Sequence, residues 1–380
     1  MVIKGQPGPK KKAQSLVMRR GQMDYLLLMA VLGLLALGTL AVFSASAATS
    51  YRAYGTPYFF LEHQLMWAAI GIPVLIVASK VEYWRYQRLG FLLFTGSILL
   101  LVAVLVPHVG VSINGARRWL GVGSLQVQPS ELAKIGMIMF FSHLFTRHVD
   151  RLTSFWHGIV PHLLLASVVF ILVLAEPDLG TTVTIAGTFF VMLYVAGAKK
   201  RHLAILFSSA LPLLAAAIIA APYRLQRIVA FTNPWKHPLG VGFHTIQALL
   251  ALGSGGVLGV GLGYSRQAMG FLPESYTDFI FAVVGEELGL LGTLTVVLLF
   301  LVVAWRGYRI AMRAPDLFSS LLATGFTTMI VIQATINMGV VTATLPVTGI
   351  TLPFISYGGS SLVLSLAGAG VLLNISRHAV

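Results

Sequence analysis

The stretch that decides the fold is residues 277–304, TDFIFAVVGEELGLLGTLTVVLLFLVVA, which is mostly apolar and has three acidic side chains in its first half. Such a run can cross a bilayer as a helix, for which about 20 apolar residues suffice. Similar runs occur along the rest of the chain. They lie at about 25–48, 64–79, 89–107, 131–146, 159–175, 181–198, 203–221, 317–341 and 357–376. The sequence therefore predicts an all-α, polytopic membrane protein with about ten transmembrane helices.

The composition excludes several classes of protein. Of the 380 residues, 57% are hydrophobic and 10% are charged, whereas about 25% of the residues in a soluble domain are charged. The absence of cysteine excludes disulfides, iron–sulfur clusters and zinc–thiolate sites. No Walker A sequence occurs, so ATP-driven transport by this chain is not expected. The net charge of +14 would suggest nucleic acid as the partner of a soluble protein. Here charge sorting across a membrane explains it better, and no nucleic acid partner is predicted.

The lysines and arginines are sorted between the two ends of the predicted helices. With a cytoplasmic N-terminus, 18 of the 26 fall in cytoplasmic segments, which is the bias that sets membrane topology. This predicts a basic cytoplasmic tail at 1–22, a transmembrane domain at 23–380, and both termini in the cytoplasm. Eight of the 12 acids lie instead in outer loops or in spans that open outward. Ionisable groups at membrane depth indicate function, so the chemistry is predicted to face outward.

The longest loop, residues 222–276, joins predicted helices 7 and 8 on the outer side. It is too apolar and aromatic to be a disordered tether, and structureless loops of this length are uncommon. We therefore expect a large extracytoplasmic loop containing short amphipathic or re-entrant segments at the outer leaflet.

The sequence LPESYTDFIF at residues 272–281 places Asp278 at the predicted start of helix 8. The residues alone allow two interpretations. Asp278 either accepts hydrogen bonds from backbone N–H groups at a helix start, or it is a base whose pKa is raised by apolar surroundings. Glu286 and Glu287 follow roughly 12 Å deeper in the bilayer. They must face the protein interior or a polar cavity, and a structural role in an ion pair or hydrogen bond is favoured for them.

The second group of charged residues precedes predicted helix 4. Ser130 could cap this helix, and Glu131 and Lys134 are three residues apart on one helical face, so they can form an ion pair. This pair could support the fold or take part in function. Arg117 and Arg118, beside a tryptophan, could bind a phosphate or pyrophosphate. They could equally anchor the chain in lipid headgroups.

Two further motifs interrupt the helices. The sequence EPDLGTT at residues 176–182 places Asp178 and a second carboxylate in a very short outer turn. The sequence LPVTGITLPFISYGGSS at residues 345–361 contains Ser356 and Gly358 and has too much proline and glycine to continue a helix. Broken backbone at membrane depth is tolerated only inside the protein or along a cavity. Together the two motifs indicate a cavity that opens outward.

These motifs, taken in order, resemble those of the SEDS family (FtsW, RodA and SpoVE) of peptidoglycan glycosyltransferases. The resemblance runs from about residue 22 to 376. Within the family, the sequences NPW at 233–235, GLGYSRQ at 261–267 and PVTGIT at 346–351 are more similar to the FtsW/SpoVE branch than to the RodA branch.

The resemblance implies polymerisation of lipid II into glycan strands at the outer face of the bacterial cytoplasmic membrane, for septal cell-wall synthesis during division. It identifies Asp278 as the catalytic residue and general base, and it associates Glu131, Lys134 and Asp178 with activity or integrity. It also implies a class b penicillin-binding protein transpeptidase and other division proteins as partners.

Several supporting residues remain candidates for substrate binding. They are Arg117, Arg118, Arg266, Ser356 and Gly358. Cations must stabilise the leaving pyrophosphate. The outer-side cations available for this are Arg117, Arg118, Arg224, Arg227, Lys236 and Arg266. The outer carboxylates could instead hold a divalent ion such as Mg²⁺ or Mn²⁺. The cofactor is therefore left open.

Two other classes of protein, a transporter and a scaffold, are also compatible with the sequence. The chain could be a flippase that moves lipid II across the membrane, or a non-catalytic scaffold that recruits the cross-linking enzyme. A transporter should carry charges that are reachable from both faces, whereas the acids here favour the outer side.

Overall fold

The computed structural model describes residues 21–113, 116–122 and 125–379. Residues 1–20, which make up most of the predicted basic tail, lie outside the described residues. The fold is a helical bundle, and each of the ten predicted transmembrane segments contains a helix. The helices are α1 Tyr25–Tyr54, α2 Phe59–Lys80, α3 Tyr86–Leu105, α4 Pro129–Arg147, α5 Val160–Ala175, α6 Leu179–Val195, α7 Lys200–Ile219, α8 Pro222–Thr232, α9 Phe243–Gly255, α10 Ile280–Met312, α11 Leu317–Val341 and α12 Gly359–Ser376.

Among the described residues, eight helical segments are both long and apolar enough to cross a membrane. The other two predicted spans are α4, which carries buried charged side chains, and α6, which has 17 residues. The predicted class, an all-α polytopic membrane protein, is confirmed.

The long loop contains two short helices, α8 and α9, as expected for a segment too apolar to remain unstructured. Helix α9 packs closely on α10. The two backbones are so near that a Cβ atom on Gly255 would lie 1.9 Å from the carbonyl oxygen of Gly285. The location of this loop at the outer leaflet remains a prediction.

Helix α10 differs from the prediction at both ends and is kinked inside. It begins at Ile280, so Asp278 lies in the turn before the helix rather than in its first turns, and it extends to Met312 instead of residue 304. At Gly289 the backbone has a φ of 64°. There the loop segment 256–261 exchanges backbone hydrogen bonds with residues 286–291. These bonds satisfy the polar groups that the kink releases, which is a requirement inside a membrane.

A small antiparallel sheet between α3 and α4 is absent from the sequence-based prediction. Its strands are β1 Val111–Ile113, β2 Ala116–Val122 and β3 Leu125–Val127, in the order β1-β2-β3. The apolar–polar alternation in LQVQ at residues 125–128 is the period-two signal that could have indicated it.

The start of α4 also corrects one expectation. The N-cap residue is Gln128, and Ser130 lies inside the helix. The Ser130 hydroxyl is buried and has no hydrogen-bond partner among the described residues, so it does not cap the helix.

The start of α1 lies beside the ends of α10 and α12. The Asp24 carboxylate binds Arg306 with an Oδ2–Nη2 distance of 2.6 Å, and the Ser376 hydroxyl accepts the Asp24 N–H at 3.1 Å. Both ends of the described chain are therefore on one side of the bundle, as predicted. Which side faces the cytoplasm remains a prediction.

Candidate active site

Asp278 lies in a loop whose backbone is held by three contacts. The carbonyl oxygens of residues 276–278 accept hydrogen bonds, in order, from the Tyr357 N–H at 2.9 Å, the Ser356 hydroxyl at 2.6 Å and the Asn337 side-chain amide at 2.8 Å. The loop at residues 345–358 and helix α11 therefore fix the position of Asp278 through its backbone, and no described residue donates a hydrogen bond to its carboxylate.

The loop at residues 345–358 also approaches the Asp278 side chain. Gly349 has a φ of 78°, and a Cβ atom placed on it would lie 3.6 Å from Asp278 Oδ2. Glycine adopts this left-handed conformation without strain. Gly358 is the N-cap of α12, and a Cβ atom on it would lie next to Thr351 and Ser361 rather than Asp278. It contributes by ending the loop rather than by lining the site.

Beneath this loop lies a buried polar network that starts at the predicted ion pair. Lys134 Nζ lies 2.8 Å from Glu131 Oε1 and donates to Gln333 Oε1 at 2.7 Å. The Gln333 amide in turn donates to the Thr351 carbonyl at 3.0 Å. The predicted pairing is confirmed, and the geometry connects it to the loop that contacts Asp278.

Asn337 lies one helical turn beyond Gln333 on α11. Its amide donates to Asp278 O and also to the Ile350 carbonyl at 2.7 Å. Helix α11 therefore holds two successive loop residues, 350 and 351, and the Asp278 backbone from one face. Neither Gln333 nor Asn337 was singled out from the sequence.

Arg118 holds the turn that contains Asp178. Its Nε donates to the Glu176 carbonyl at 2.9 Å, its Nη2 donates to the Pro177 carbonyl, and its Nη1 lies 3.9 Å from Asp178 Oδ2. Asp178 is the N-cap of α6 and accepts the Thr181 N–H at 2.9 Å. Arg117, which precedes Arg118 on β2, is exposed. Successive strand residues face opposite sides, so the structure does not bring Arg117 into this cluster.

Four charged groups influence Asp278. The pKa of Asp278 is raised to about 7, mainly by burial and also by the negative charges of Glu274 and Asp178, while Arg118 and Arg227 oppose the shift. The carboxylate is partly exposed and accepts no hydrogen bond from the described part of the chain. It can therefore take up a proton near neutral pH, as a general base requires.

Arg227 on α8 is one of the outer-side cations that the sequence offers for the pyrophosphate, and the structure places it near Asp278 although it was not among the candidate site residues. Its Nη1 donates to the Val347 carbonyl at 3.2 Å, and its charge acts on both Asp178 and Asp278. The signal for it was weak. Arg224 and Arg227 are three residues apart, which places them on one face of a short helix in the long loop.

Arg266 is placed differently from the other arginines. Its backbone N–H donates to Glu286 Oε1 at 3.0 Å, and its side chain is exposed. Glu286 also accepts the Ser265 hydroxyl at 2.5 Å, and Glu287 accepts the Gly263 N–H at 3.2 Å. Both glutamates are buried and fold the loop onto α10, as their predicted structural role requires.

Glu176 is a further buried acid in the turn held by Arg118. Its side chain has no exposed surface, and neither carboxyl oxygen has a hydrogen-bond partner among the described residues. The pKa of Glu176 is raised to about 9, mainly by burial and also by the charge of Asp178, while Arg118 opposes the shift. At neutral pH the group is therefore protonated, and it adds no negative charge to the site.

The donor set for a metal ion is incomplete. Within the described ranges, no three histidine, aspartate or glutamate side chains are grouped closely enough to hold a metal ion together. A divalent ion at Asp178 or Asp278 would need further oxygen ligands from substrate or water.

Comparison with known proteins identifies relatives over nearly the whole chain. The sequence model of the family described as "Cell cycle protein", which covers FtsW, RodA and SpoVE, matches residues 25–380. Stage V sporulation protein E of Bacillus subtilis is 46% identical over 355 residues, which are 93% of this chain and 97% of that protein. The probable peptidoglycan glycosyltransferase FtsW of Geobacter metallireducens is 39% identical, over 93% of this chain and 95% of that protein.

Solved structures match the fold as well. A chain from a peptidoglycan synthase complex, in work on the coordination of polymerization and crosslinking, has a TM-score of 0.77 and 33% identity. That match covers 93% of this chain and 98% of that chain. The rod shape determining protein RodA of Thermus thermophilus has a TM-score of 0.66 and 31% identity, over 93% and 97% of the two chains. The predicted similarity to SpoVE and FtsW is confirmed, and the chain belongs to the FtsW/RodA/SpoVE family of cell cycle proteins.

Proposed function

We propose that this multi-pass membrane protein is a peptidoglycan glycosyltransferase that polymerises lipid II into glycan strands. The names of its relatives, a probable peptidoglycan glycosyltransferase and a peptidoglycan synthase complex, support this reaction class. The observation that carries the proposal is Asp278, whose carboxylate is unbonded within the described chain, has a pKa near 7 and is held by its backbone.

In the proposed reaction, a hydroxyl of the acceptor sugar attacks the anomeric carbon of the donor sugar. Asp278 removes the hydroxyl proton as the new carbon–oxygen bond forms, and the bond between the anomeric carbon and the pyrophosphate oxygen breaks. The pyrophosphate leaves as an anion. Arg118 and Arg227, the two cations whose charges act on Asp278, are positioned to stabilise the developing negative charge.

The other assignments extend this proposal. We place both termini in the cytoplasm and Asp278 at the outer face of the cytoplasmic membrane, following the lysine and arginine bias. Residues 23–380 then form the catalytic transmembrane domain. A class b penicillin-binding protein and other division proteins are the proposed partners, and the septum is the proposed site of action.

The test is polymer formation by the purified chain in detergent, with purified lipid II, with and without Mg²⁺ or Mn²⁺ and with its transpeptidase partner present. We expect glycan strands of increasing length. Detergent offers no second compartment, so a flippase would leave lipid II unchanged. A scaffold would also produce no polymer. Absence of product in the presence of the partner and of either ion would reject the proposal.

The rate of polymerisation should depend on pH through Asp278. A general base acts in its deprotonated form, so kcat/KM should rise up to tenfold per pH unit below about 7 and level off above it. Glu274→Gln removes a negative charge that raises the pKa of Asp278. This variant should therefore move the rising limb to lower pH.

Glu62→Gln is the matched control for this experiment, because Glu62 is an exposed acid on α2 and does not contribute to the pKa of Asp278. Its profile should overlay that of the wild type. A rate that is flat between pH 6 and 8, or a Glu274→Gln profile that does not move, would contradict the assignment of Asp278 as the base.

A further inference from the structure

A polar cavity of about 300 Å³ lies at the end of α10 far from Asp278. It forms where the start of α1 meets the ends of α10 and α12. Three arginines at the end of α10 line it: Arg306 and Arg309 in the helix and Arg313 at its C-cap. They are spaced i, i+3 and i+7 and so share one face of the helix. The volume lies at the lower end of the range of about 300–1,000 Å³ that ligand pockets occupy.

The charged side chains in the described lining of this cavity do not balance. Asp24 is the acid in its lining, and its Oδ2 lies 2.6 Å from Arg306 Nη2 and 2.7 Å from Arg306 Nε, while its Oδ1 accepts the Leu27 N–H at 3.0 Å. One carboxylate therefore neutralises one of three guanidinium groups. Arg309 and Arg313 have no acid in the described lining and leave an excess of two positive charges.

The surface beside the cavity is suited to lipid. Helices α1 and α10 pack together, and their outer faces expose apolar side chains next to the cavity. Tyr25 is 61% exposed, Leu26 is 47% exposed and Trp305 is 56% exposed. The Arg309 guanidinium lies 5.9 Å from the centre of the Trp305 ring. Aromatic rings next to cations are typical of the boundary between headgroups and acyl chains.

We propose that this cavity binds the phosphodiester headgroup of an anionic phospholipid, with the acyl chains along the exposed faces of α1 and α10. Guanidinium groups bind phosphate oxygens in a bidentate manner. Basic pockets between transmembrane helices on the cytoplasmic side recognise such headgroups. The lysine and arginine bias assigns this end of the bundle to the cytoplasmic leaflet. The site is separate from the outer site proposed for glycosyl transfer.

The test uses the full chain in phosphatidylcholine nanodiscs that contain increasing fractions of phosphatidylglycerol. The thermal midpoint of the wild type should rise with the anionic lipid and saturate. Because each arginine near a membrane surface contributes about fivefold to anionic lipid binding, Arg309→Gln/Arg313→Gln should raise the apparent dissociation constant for phosphatidylglycerol about 25-fold. Arg313→Gln alone should raise it about fivefold, and this exposed position keeps the test informative if the double variant does not fold.

The control Lys199→Gln/Lys200→Gln removes two exposed charges at the start of α7, outside the cavity. It should leave the apparent dissociation constant unchanged. An equal effect of both double variants would overturn the proposal in favour of general surface charge. If inorganic phosphate in pure phosphatidylcholine nanodiscs stabilised the wild type as much as phosphatidylglycerol does, the ligand would be a free anion and the lipid assignment would be wrong.

Discussion

The Asp278→Asn variant is expected to polymerise lipid II about 100- to 10,000-fold more slowly than the wild type, which is the usual range for loss of a general base. Asparagine has nearly the same shape as aspartate but cannot accept the proton of the acceptor hydroxyl. The measurement is the initial rate of glycan-strand formation by the purified chain with its partner, at a pH above the pKa of about 7.

The same substitution should leave the fold intact. The Asp278 carboxylate accepts no hydrogen bond from the described part of the chain, and the loop is held instead by backbone carbonyls that bond to Ser356 and Asn337. The thermal midpoint should therefore remain close to that of the wild type. Asp150→Asn, which changes an exposed acid in the connection between α4 and α5, is the matched control and should retain full activity.

Three outcomes of this experiment would contradict the proposal. Activity of Asp278→Asn within a few-fold of the wild type would contradict its role as the base. A large fall in activity together with a large fall in the thermal midpoint would assign Asp278 a structural role instead. A scaffold would show neither polymerisation by the wild type nor a change on substitution.

The transmembrane helices could be predicted because each needs a long apolar run, which can be recognised without knowing its neighbours. The residue at which α10 begins could not be predicted in this way. Thr277 and Asp278 are followed directly by apolar residues. The point where the helix begins depends on the bonds that Ser356 and Asn337 make to the preceding loop. Those residues are 79 and 59 positions away in the chain, so the sequence around Asp278 does not contain this information.

The candidate site shows the same division between local and distant information. Pairing of Glu131 with Lys134 follows from a spacing of three on one helix, and it could be predicted. The bond from Lys134 to Gln333 spans 199 residues, and the approach of Arg227 to Asp278 depends on how the long loop folds. The side chains of Arg117 and Arg118 face opposite sides of strand β2. This separation could not be predicted because the sequence did not reveal the sheet.

Lys134→Met is expected to lower the free energy of unfolding by about 3–5 kcal/mol, the usual effect of removing one partner of a buried ion pair. Lys134 and Glu131 are 5% and 6% exposed, respectively, and the substitution leaves the Glu131 carboxylate without its counter-charge. It also leaves the buried Gln333 side-chain oxygen without its donor. Thermal unfolding of the purified chain in detergent measures the loss.

The matched comparisons show whether the pair is the cause. Lys80→Met replaces an exposed lysine at the end of α2 and should change stability little. Glu131→Leu/Lys134→Met removes both charges and should recover much of the lost stability, because apolar residues of similar volume often replace a buried pair without loss. A double variant as unstable as Lys134→Met would show that the charges are not what the single substitution disrupts.

Activity in the double variant then separates stability from positioning. Glu131→Leu/Lys134→Met still lacks the lysine that holds Gln333, whose amide bonds to Thr351 in the loop beside Asp278. We therefore expect the recovered protein to polymerise more slowly than the wild type while it keeps the same dependence on pH, since the base itself is unchanged. Full recovery of the rate along with the stability would show that the ion pair supports the bundle alone and does not position the loop.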